Sequence, residues 1–126
     1  MNISIADAFD LPDWLGTEHV VWHATSSLLE AGHVPGVLTS GPGLSHQLDL
    51  LAVDEAYPKP VCPDRERAAA HQAWHYGEVI LVRVDSRLAA AVPGTRFDAA
   101  VMCETLRRVA KSVGAPASNF TVSVTL

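Results

Sequence analysis

The sequence of 126 residues has few cysteines and few aromatic residues: Cys62 and Cys103 are its cysteines, and aromatic side chains make up 6%. Two cysteines are too few for the disulfide framework that stabilises many small secreted domains. No apolar run approaches the roughly 18 residues that a membrane helix needs, and the first residues lack the basic and apolar regions of a signal peptide. We therefore expect a cytoplasmic protein with reduced thiols and no membrane-spanning segment.

Basic residues are also scarce, with 9 Lys and Arg against 14 Asp and Glu, which gives a formal net charge of −5. An acidic surface repels phosphate backbones, so we expect no nucleic-acid partner. A hydrophobic content of 48% with 18% charged residues is typical of a globular protein rather than a disordered one. The length predicts one domain over residues 1–126, large enough to bury a core without disulfides or metals.

The most regular patterns lie in the last third of the chain. Residues 78–92 are predicted to form two strands joined by a turn, and residues 98–113 an amphipathic helix that Asp98 caps. Residues 120–126 alternate with period two, which is typical of a strand. The side chains predicted to point inward from this last strand are Phe120, Val122, Val124 and Leu126.

The first two thirds of the chain carry weaker patterns. Residues 18–25 alternate as a strand, and residues 33–40 form a second strand in which Pro35 predicts an edge position or a bulge. Residues 47–55 fit a strand by alternation and a helix by the spacing of their leucines, and we favour the strand. A helix capped by Asp64 is predicted to run to about Tyr76, with Gly77 ending it in the left-handed conformation.

This order of elements predicts an α+β fold. We expect a single, mostly antiparallel sheet of about five or six strands, with two main helices packed on one face. The other face is expected to carry polar side chains and to serve as a partner or dimer surface if it is covered. Its expected members are His19, His23, Thr121, Ser123 and Thr125.

Two histidines at helical spacing suggest a metal site. His71 and His75 are four residues apart, which places both imidazoles on one helix face, where they would hold an ion such as zinc. Gln72 stands where the zinc-protease helix has its general base, and it takes up no proton. The third ligand would come from Cys62 or His23. The alternative is that both histidines are ordinary helix residues with solvent or backbone partners, and no cofactor is predicted outright.

The stretch from Trp22 to Ser26 (WHATS) resembles the strand of ADP-ribosyltransferases and RNA 2′-phosphotransferases that binds the ribose of NAD. His23 and Thr25 match the triplet of that family, whereas Ala24 replaces its glycine. The resemblance implies an NAD-related transferase built around His23. The later tyrosine and glutamate motifs of that family have no counterpart in this sequence, so the alternative is an ordinary, half-exposed strand histidine.

Other single residues are expected to be structural. Cys103 falls within the predicted second helix and is assigned to core packing. The tryptophans Trp14, Trp22 and Trp74 are assigned to the core rather than to a ligand pocket.

Residues 49–58 (DLLAVDEAYP) and 70–77 (AHQAWHYG) resemble blocks of uncharacterised small proteins of high-GC actinobacteria, a resemblance that implies no activity. The element order is also similar to that of small acidic secretion chaperones, which dimerise and bind an unfolded partner. Where those chaperones have their first helix, this chain has only a short turn, and it has one strand more after the last elements that the two share.

No cluster of residues in the sequence specifies a reaction, so an enzyme is not the favoured interpretation. We predict a non-enzymatic binding or accessory module that associates with a partner protein or with itself as a homodimer. An edge strand near Pro35 would offer free backbone groups for docking. The second hypothesis is a metal-binding domain or a metal-dependent enzyme that uses His71 and His75, and the third is the NAD-related transferase around His23.

Overall fold

The computed structural model of the protein describes residues 2–26, 32–54 and 63–124. Their strands are β1 (Ile3–Ile5), β2 (Val20–Ala24), β3 (His33–Val34), β4 (Gly36–Ser40), β5 (Leu44–Gln47), β6 (Asp49–Ala52), β7 (Ile80–Val84), β8 (Arg87–Val92) and β9 (Phe120–Ser123). Their α-helices are α1 (Asp64–His75) and α2 (Ala99–Ser112). Short 3-10 turns cover Ala8–Asp10, Asp13–Gly16 and Ala117–Asn119. Neither helix in the described ranges is long and apolar enough to cross a bilayer.

The strands form two mixed sheets. Sheet A has the order β1-β7-β8-β6-β3, and sheet B has the order β5-β4-β2-β9. The pairs β6–β8 and β2–β9 are parallel, and the other pairs are antiparallel. The α+β class is therefore confirmed, whereas the expectation of a single, mostly antiparallel sheet is wrong.

The second sheet arises because two neighbouring strands bend. One residue, Pro35, separates β3 from β4, and one residue, Leu48, separates β5 from β6. The hairpin of β4 and β5 thus belongs to sheet B, while its continuation, β3 and β6, belongs to sheet A. Proline lacks the N–H that a ladder needs, so the pairing is interrupted at this position. Among the described strands, β3 lies at the edge of sheet A as predicted, whereas β4 lies inside sheet B.

A glycine and a tryptophan are in close contact next to this bend. Trp22 is fully buried, and its Nε1 donates a hydrogen bond of 2.8 Å to the carbonyl of Leu48. A Cβ atom on Gly36 would lie 2.2 Å from Cζ2 of the Trp22 ring, far inside van der Waals contact. Position 36 therefore requires glycine for space, because the indole occupies the volume of a side chain there. The assignment of Trp22 to the core is confirmed.

The two helices pack on opposite faces of sheet A. One face carries Leu50, Ala90 and Val92, in a core cluster shared with sheet B and with Met102 and Leu106 of α2. The opposite face packs against Ala70 of α1 and carries Leu51, Val53, Val82, Val84, Ala89 and Ala91. The expectation of both helices on one face is wrong. Strands β6, β7 and β8 of sheet A are covered on both sides, and the unbroken apolar run of residues 79–82 at the start of β7 is typical of such a strand.

The helix ends agree only partly with the predictions. Asp98 caps α2 as predicted, since its carboxylate accepts a hydrogen bond of 2.8 Å from the amide of Val101. Asp64 is not a cap: it is the first residue of α1, and Pro63 occupies the capping position without a side-chain hydrogen bond. Gly77 has φ 80 and ends α1 in the left-handed conformation, as predicted.

The predicted strands are present in the described residues, but their bounds differ: β9 ends at Ser123 and leaves Val124 outside it, and β1 and β5 were not predicted. The stretch that fitted both a strand and a helix is the strand β6 up to Ala52. In β9, Phe120 and Val122 are partly buried while Thr121 and Ser123 are exposed, so the predicted alternation is confirmed. Residues 125 and 126, which were expected to continue this strand, lie outside the described ranges.

Candidate functional site

The residues predicted to hold a metal do not come together within the described part of the chain. His71 lies half-exposed on α1, with its Nε2 2.9 Å from Oδ1 of Asp54. His75, one turn later, is exposed and makes an edge contact with the ring of Tyr76. No three His, Cys, Asp or Glu residues in the described ranges form a group that would hold an ion. Cys62 lies outside those ranges, so the metal site stays a prediction.

His23 lies on a different surface, on the outer side of sheet B. It is exposed, and its Nε2 is 3.0 Å from the hydroxyl oxygen of Thr39 on the neighbouring strand. The three histidines His23, His71 and His75 therefore do not converge among the described residues. The NAD-related transferase around His23 also stays a prediction.

The outer side of sheet B, called here the open face, consists of two rows of side chains. The strand register places Ser45, Thr39, Val21 and Thr121 in one row and Gln47, Val37, His23 and Ser123 in the next. All eight are exposed or half-buried, and none carries a formal charge when His23 is neutral. The expectation that His23, Thr121 and Ser123 share a sheet face is confirmed.

A buried carboxylate lies where the two sheets join. Asp49 is the first residue of β6, and only 1% of it is exposed. Nε and Nη2 of Arg87 donate to its two oxygens at 2.8 and 2.9 Å, in a bidentate pair. Nε2 of His33 lies 2.8 Å from Oδ2, and Nε2 of Gln47 donates to Oδ1 at 2.7 Å. We call these four residues the Asp49 cluster.

Hydrogen bonds keep Asp49 ionised in spite of its burial. Burial by itself would raise the pKa of Asp49, because it disfavours the charged form. The hydrogen bonds from His33, Arg87 and Gln47, with a fourth from the amide of Gly36 at 3.3 Å, outweigh burial and hold this pKa well below its ordinary value. Asp49 in turn raises the pKa of Arg87 by accepting its hydrogen bonds. The carboxylate is therefore a fixed negative charge that accepts hydrogen bonds and donates none.

Gln47 connects this cluster to the backbone of sheet A. Its Nε2 donates to the carbonyl of Leu88 at 2.7 Å, and its Oε1 accepts from the amide of Leu88 at 2.9 Å. Both ends of the amide side chain are thus satisfied, and the side chain is held in one orientation. The cluster is a rigid polar joint between sheet B, which contains Gln47, and sheet A, which contains the other members.

Reasoning from the sequence missed this cluster, although one signal was present. Asp49 is the single charged residue in the stretch from Leu48 to Val53, whose other members are fully buried. A charged residue inside an apolar strand needs a partner of opposite charge or several hydrogen bonds. That requirement predicts that Asp49 has a charged or hydrogen-bonding partner. Nothing in the sequence identifies Arg87 and His33 as those partners.

A second feature lies at the other end of sheet B. Among the described residues, strand β9 is the last strand of that sheet, and α2 packs beside it. Between them is a cleft of about 450 Å³, which we call the edge groove. It is lined by Cys103, Leu106, Arg107, Ala117, Phe120, Thr121 and Val122. Cys103 is exposed in this groove, so its assignment to core packing is wrong.

Comparisons with known proteins found no relative: the chain matches no family model, no curated protein and no solved structure.

Proposed function

We propose that the chain is a non-enzymatic binding module that accepts an extended segment of a partner protein as an additional strand beside β9. The observation that supports this proposal is the position of β9, which is both the edge of sheet B and one wall of the edge groove. An edge and a groove at the same place offer backbone and side-chain recognition together.

The backbone of β9 supplies the first part of the recognition. Alternate residues of an edge strand direct their N–H and C=O groups away from the sheet, where water or another strand must satisfy them. A segment in extended conformation presents matching groups at the same spacing of about 3.3 Å per residue. Only a polypeptide strand offers this repeating pattern, which is why the proposed occupant is a peptide segment.

The edge groove supplies the second part. Its apolar lining includes Leu106, Phe120 and Val122, and side chains of an added strand point alternately to the two faces of the sheet. Every second side chain of the occupant would therefore enter the groove, where apolar groups are favoured. Arg107 is 58% exposed at this groove, although Glu104 already pairs with it at 2.8 Å, so charge adds little to the selection.

A second copy of the chain would meet the same requirement by pairing its own β9 with this one. Such a homodimer buries the same edge and makes self-association compete with peptide binding. The uncharged open face adjoins β9 through Thr121 and Ser123, so an occupant of the edge can extend over it at little cost in desolvated charge. Sedimentation over a range of protein concentrations measures this competing association.

The test uses a capped peptide of alternating valine and threonine, and the same peptide with N-methyl groups on alternate backbone nitrogens. N-methylation removes backbone donors but leaves the side chains in place. We expect the unmethylated peptide to shift the NMR signals of β9 and to slow amide exchange at alternate residues between Phe120 and Ser123. The methylated peptide should bind at least about tenfold more weakly, because several backbone hydrogen bonds are lost.

Two variants of α2 locate the contact. Cys103→Trp fills the edge groove from an exposed position, so it should abolish peptide binding without a large loss of thermal stability. Lys111→Trp places the same side chain on an exposed part of α2 outside the groove and should bind like the wild type. Equal binding by both peptides, or shifts that avoid β9, would remove the proposal. A dimer that dissociates only in the Cys103→Trp variant would replace the partner protein by a second copy.

A further inference from the structure

A cavity lies between the two N-terminal 3-10 turns and the end of α2. Its volume is about 320 Å³, and its walls include Phe9, Asp13, Gly16, Ser112 and Val113. The two sides touch closely, because a Cβ atom on Gly16 would lie 3.2 Å from the carbonyl oxygen of Val113. A volume at the low end of the range for ligand sites suits one side chain or one small molecule. We call this cavity the turn pocket.

The α2 side of the turn pocket is electronegative. Ser112 is the last residue of α2, and Val113 is its C-terminal cap. No hydrogen bond within the described residues reaches the carbonyl oxygen of either residue. Free carbonyls at a helix C-terminus carry the negative end of the helix dipole and favour a cation. Lys111, the basic residue of this last turn, does not line the pocket, and its Nζ lies 3.9 Å from where a Cβ atom on Gly77 would stand.

Asp13 adds a formal negative charge on the other side of the turn pocket. It is exposed, and its carboxylate makes no hydrogen bond or ion pair with any other residue that the structure describes. Asp10 differs, because it accepts a hydrogen bond from the amide of Asp7 and lies 3.7 Å from a guanidinium nitrogen of Arg83. No Lys or Arg of the described ranges lines the pocket. Its negative charge is therefore not offset by a cation from that part of the chain.

Phe9 supplies an aromatic wall. Its surface is 95% exposed, although a capping box between Asp7 and Asp10 fixes the turn that carries it. The face of an aromatic ring attracts a cation, and an aliphatic chain gains from contact with the same ring. A ring this exposed is covered only by an occupant that extends out of the pocket. A side chain attached to its own backbone does so, whereas a small free amine does not.

We propose that the turn pocket binds the side chain of a lysine on a partner protein. The aliphatic stem packs on Phe9, and the ammonium group pairs with Asp13 and donates to the free carbonyls at the end of α2. The three donors of an ammonium group suit several single acceptors, whereas the planar fork of arginine suits one carboxylate. The turn pocket and the edge groove have no lining residue in common, so the failure of this proposal would leave peptide binding at β9 untouched.

The first measurement uses the wild-type protein and Nα-acetyl-lysine methylamide, which presents the side chain with its backbone. At constant ionic strength this compound should shift the amide NMR signals of Phe9, Asp13 and Val113 saturably in the millimolar range. The norleucine analogue keeps the four-carbon chain but lacks the ammonium group, and it should bind at least about tenfold more weakly. n-Butylammonium lacks the backbone and should also bind more weakly than the lysine compound, because it covers less of Phe9.

Three variants at exposed positions complete the test. Asp13→Asn removes the charge at nearly constant size and should lower the affinity for the lysine compound about three- to fivefold. Phe9→Leu keeps an apolar side chain but removes the ring face, and a loss of about three- to fivefold is expected. Glu18→Gln removes a charge from an exposed residue that does not line the pocket, so the affinity should stay within about twofold. Thermal unfolding of each variant verifies that it is folded.

Three results would overturn the inference. One is the absence of saturable shifts at these amides in the wild-type protein at tens of millimolar of the lysine compound. Another is equal binding of the lysine and norleucine compounds, or an affinity for lysine that Asp13→Asn and Phe9→Leu leave unchanged. The third is tighter binding of n-butylammonium, which would assign the pocket to a free amine. A preference for lysine that both variants weaken and Glu18→Gln retains would support the site.

Discussion

Replacement of Gly36 by alanine should destabilise the fold far more than a single added methyl group suggests. The new Cβ would lie 2.2 Å from Cζ2 and 2.3 Å from Cε2 of Trp22, whereas carbon atoms in contact are about 3.5–4.0 Å apart. The indole would therefore have to move by more than about 1 Å, although Trp22 is fully buried. Such a movement also breaks the hydrogen bond from its Nε1 to the carbonyl of Leu48.

The magnitude follows from what the displaced ring loses. Overpacking a core costs about 1–3 kcal/mol, and losing the packing of a buried aromatic ring costs about 3–5 kcal/mol. We expect the free energy of unfolding of Gly36→Ala to fall by about 3–5 kcal/mol. Urea denaturation followed by tryptophan fluorescence measures this change, with an unchanged dependence on urea concentration as the sign of an intact cooperative transition.

A double-mutant cycle tests the cause. Trp22→Leu removes the ring that the new methyl group would strike and is itself destabilising, because it leaves a cavity. Adding Gly36→Ala to Trp22→Leu should then cost less than about 1 kcal/mol, which gives a coupling of about 2–4 kcal/mol between the two positions. A full penalty for Gly36→Ala in the absence of the indole would show that the close approach to Trp22 is not the reason for glycine.

Two further substitutions test the buried carboxylates. Asp49→Asn should lower the free energy of unfolding at neutral pH by about 2–4 kcal/mol. This loss lies at the lower end of the range for breaking a buried ion pair, because the half-exposed guanidinium of Arg87 can be hydrated by solvent. The folded-state pKa of Asp49 is depressed, so its stabilisation is complete above the unfolded value of about 3.9 and is lost as the pH falls below it. The difference between wild type and Asp49→Asn in urea unfolding should therefore shrink as the pH is lowered from about 5 to 2, and a constant difference would contradict this account. Glu66 of α1 is buried, and its Oε2 has no hydrogen-bond partner within residues 2–26, 32–54 and 63–124, so Glu66→Met should raise the free energy of unfolding by about 1–2 kcal/mol. A lower thermal midpoint for Glu66→Met would instead mean that this carboxylate is satisfied.

Local patterns in the sequence predicted the elements but not how the sheets are arranged. The period of α2 and the alternation of β9 are set by neighbouring residues, and both predictions are confirmed. The division into two sheets depends on single-residue interruptions at Pro35 and Leu48, which leave the alternation of the flanking strands unchanged. The apolar run at the start of β7 is typical of a strand covered on both faces, and this local signal agrees with the structure, whereas the expectation of two helices on one face does not.

The candidate sites illustrate a similar limit. The pattern at His71 and His75 is visible because four residues separate the two histidines along one helix. The Asp49 cluster joins residues 16 and 38 positions apart in the sequence, so no spacing rule relates His33 and Arg87 to Asp49. The edge groove was missed for another reason: a helix pattern indicates which side faces the core but not which neighbouring strand ends the sheet.

The bent hairpin formed by β3 to β6 affects how the protein unfolds. At Pro35 and again at Leu48 the chain passes through a single residue from one sheet into the other, so β3 continues directly into β4 and β5 directly into β6. The two layers should accordingly melt as one cooperative unit, and amides of β4 and β8 should exchange with deuterium through the same global opening. A fragment that preserves either layer alone is not expected to hold a native structure.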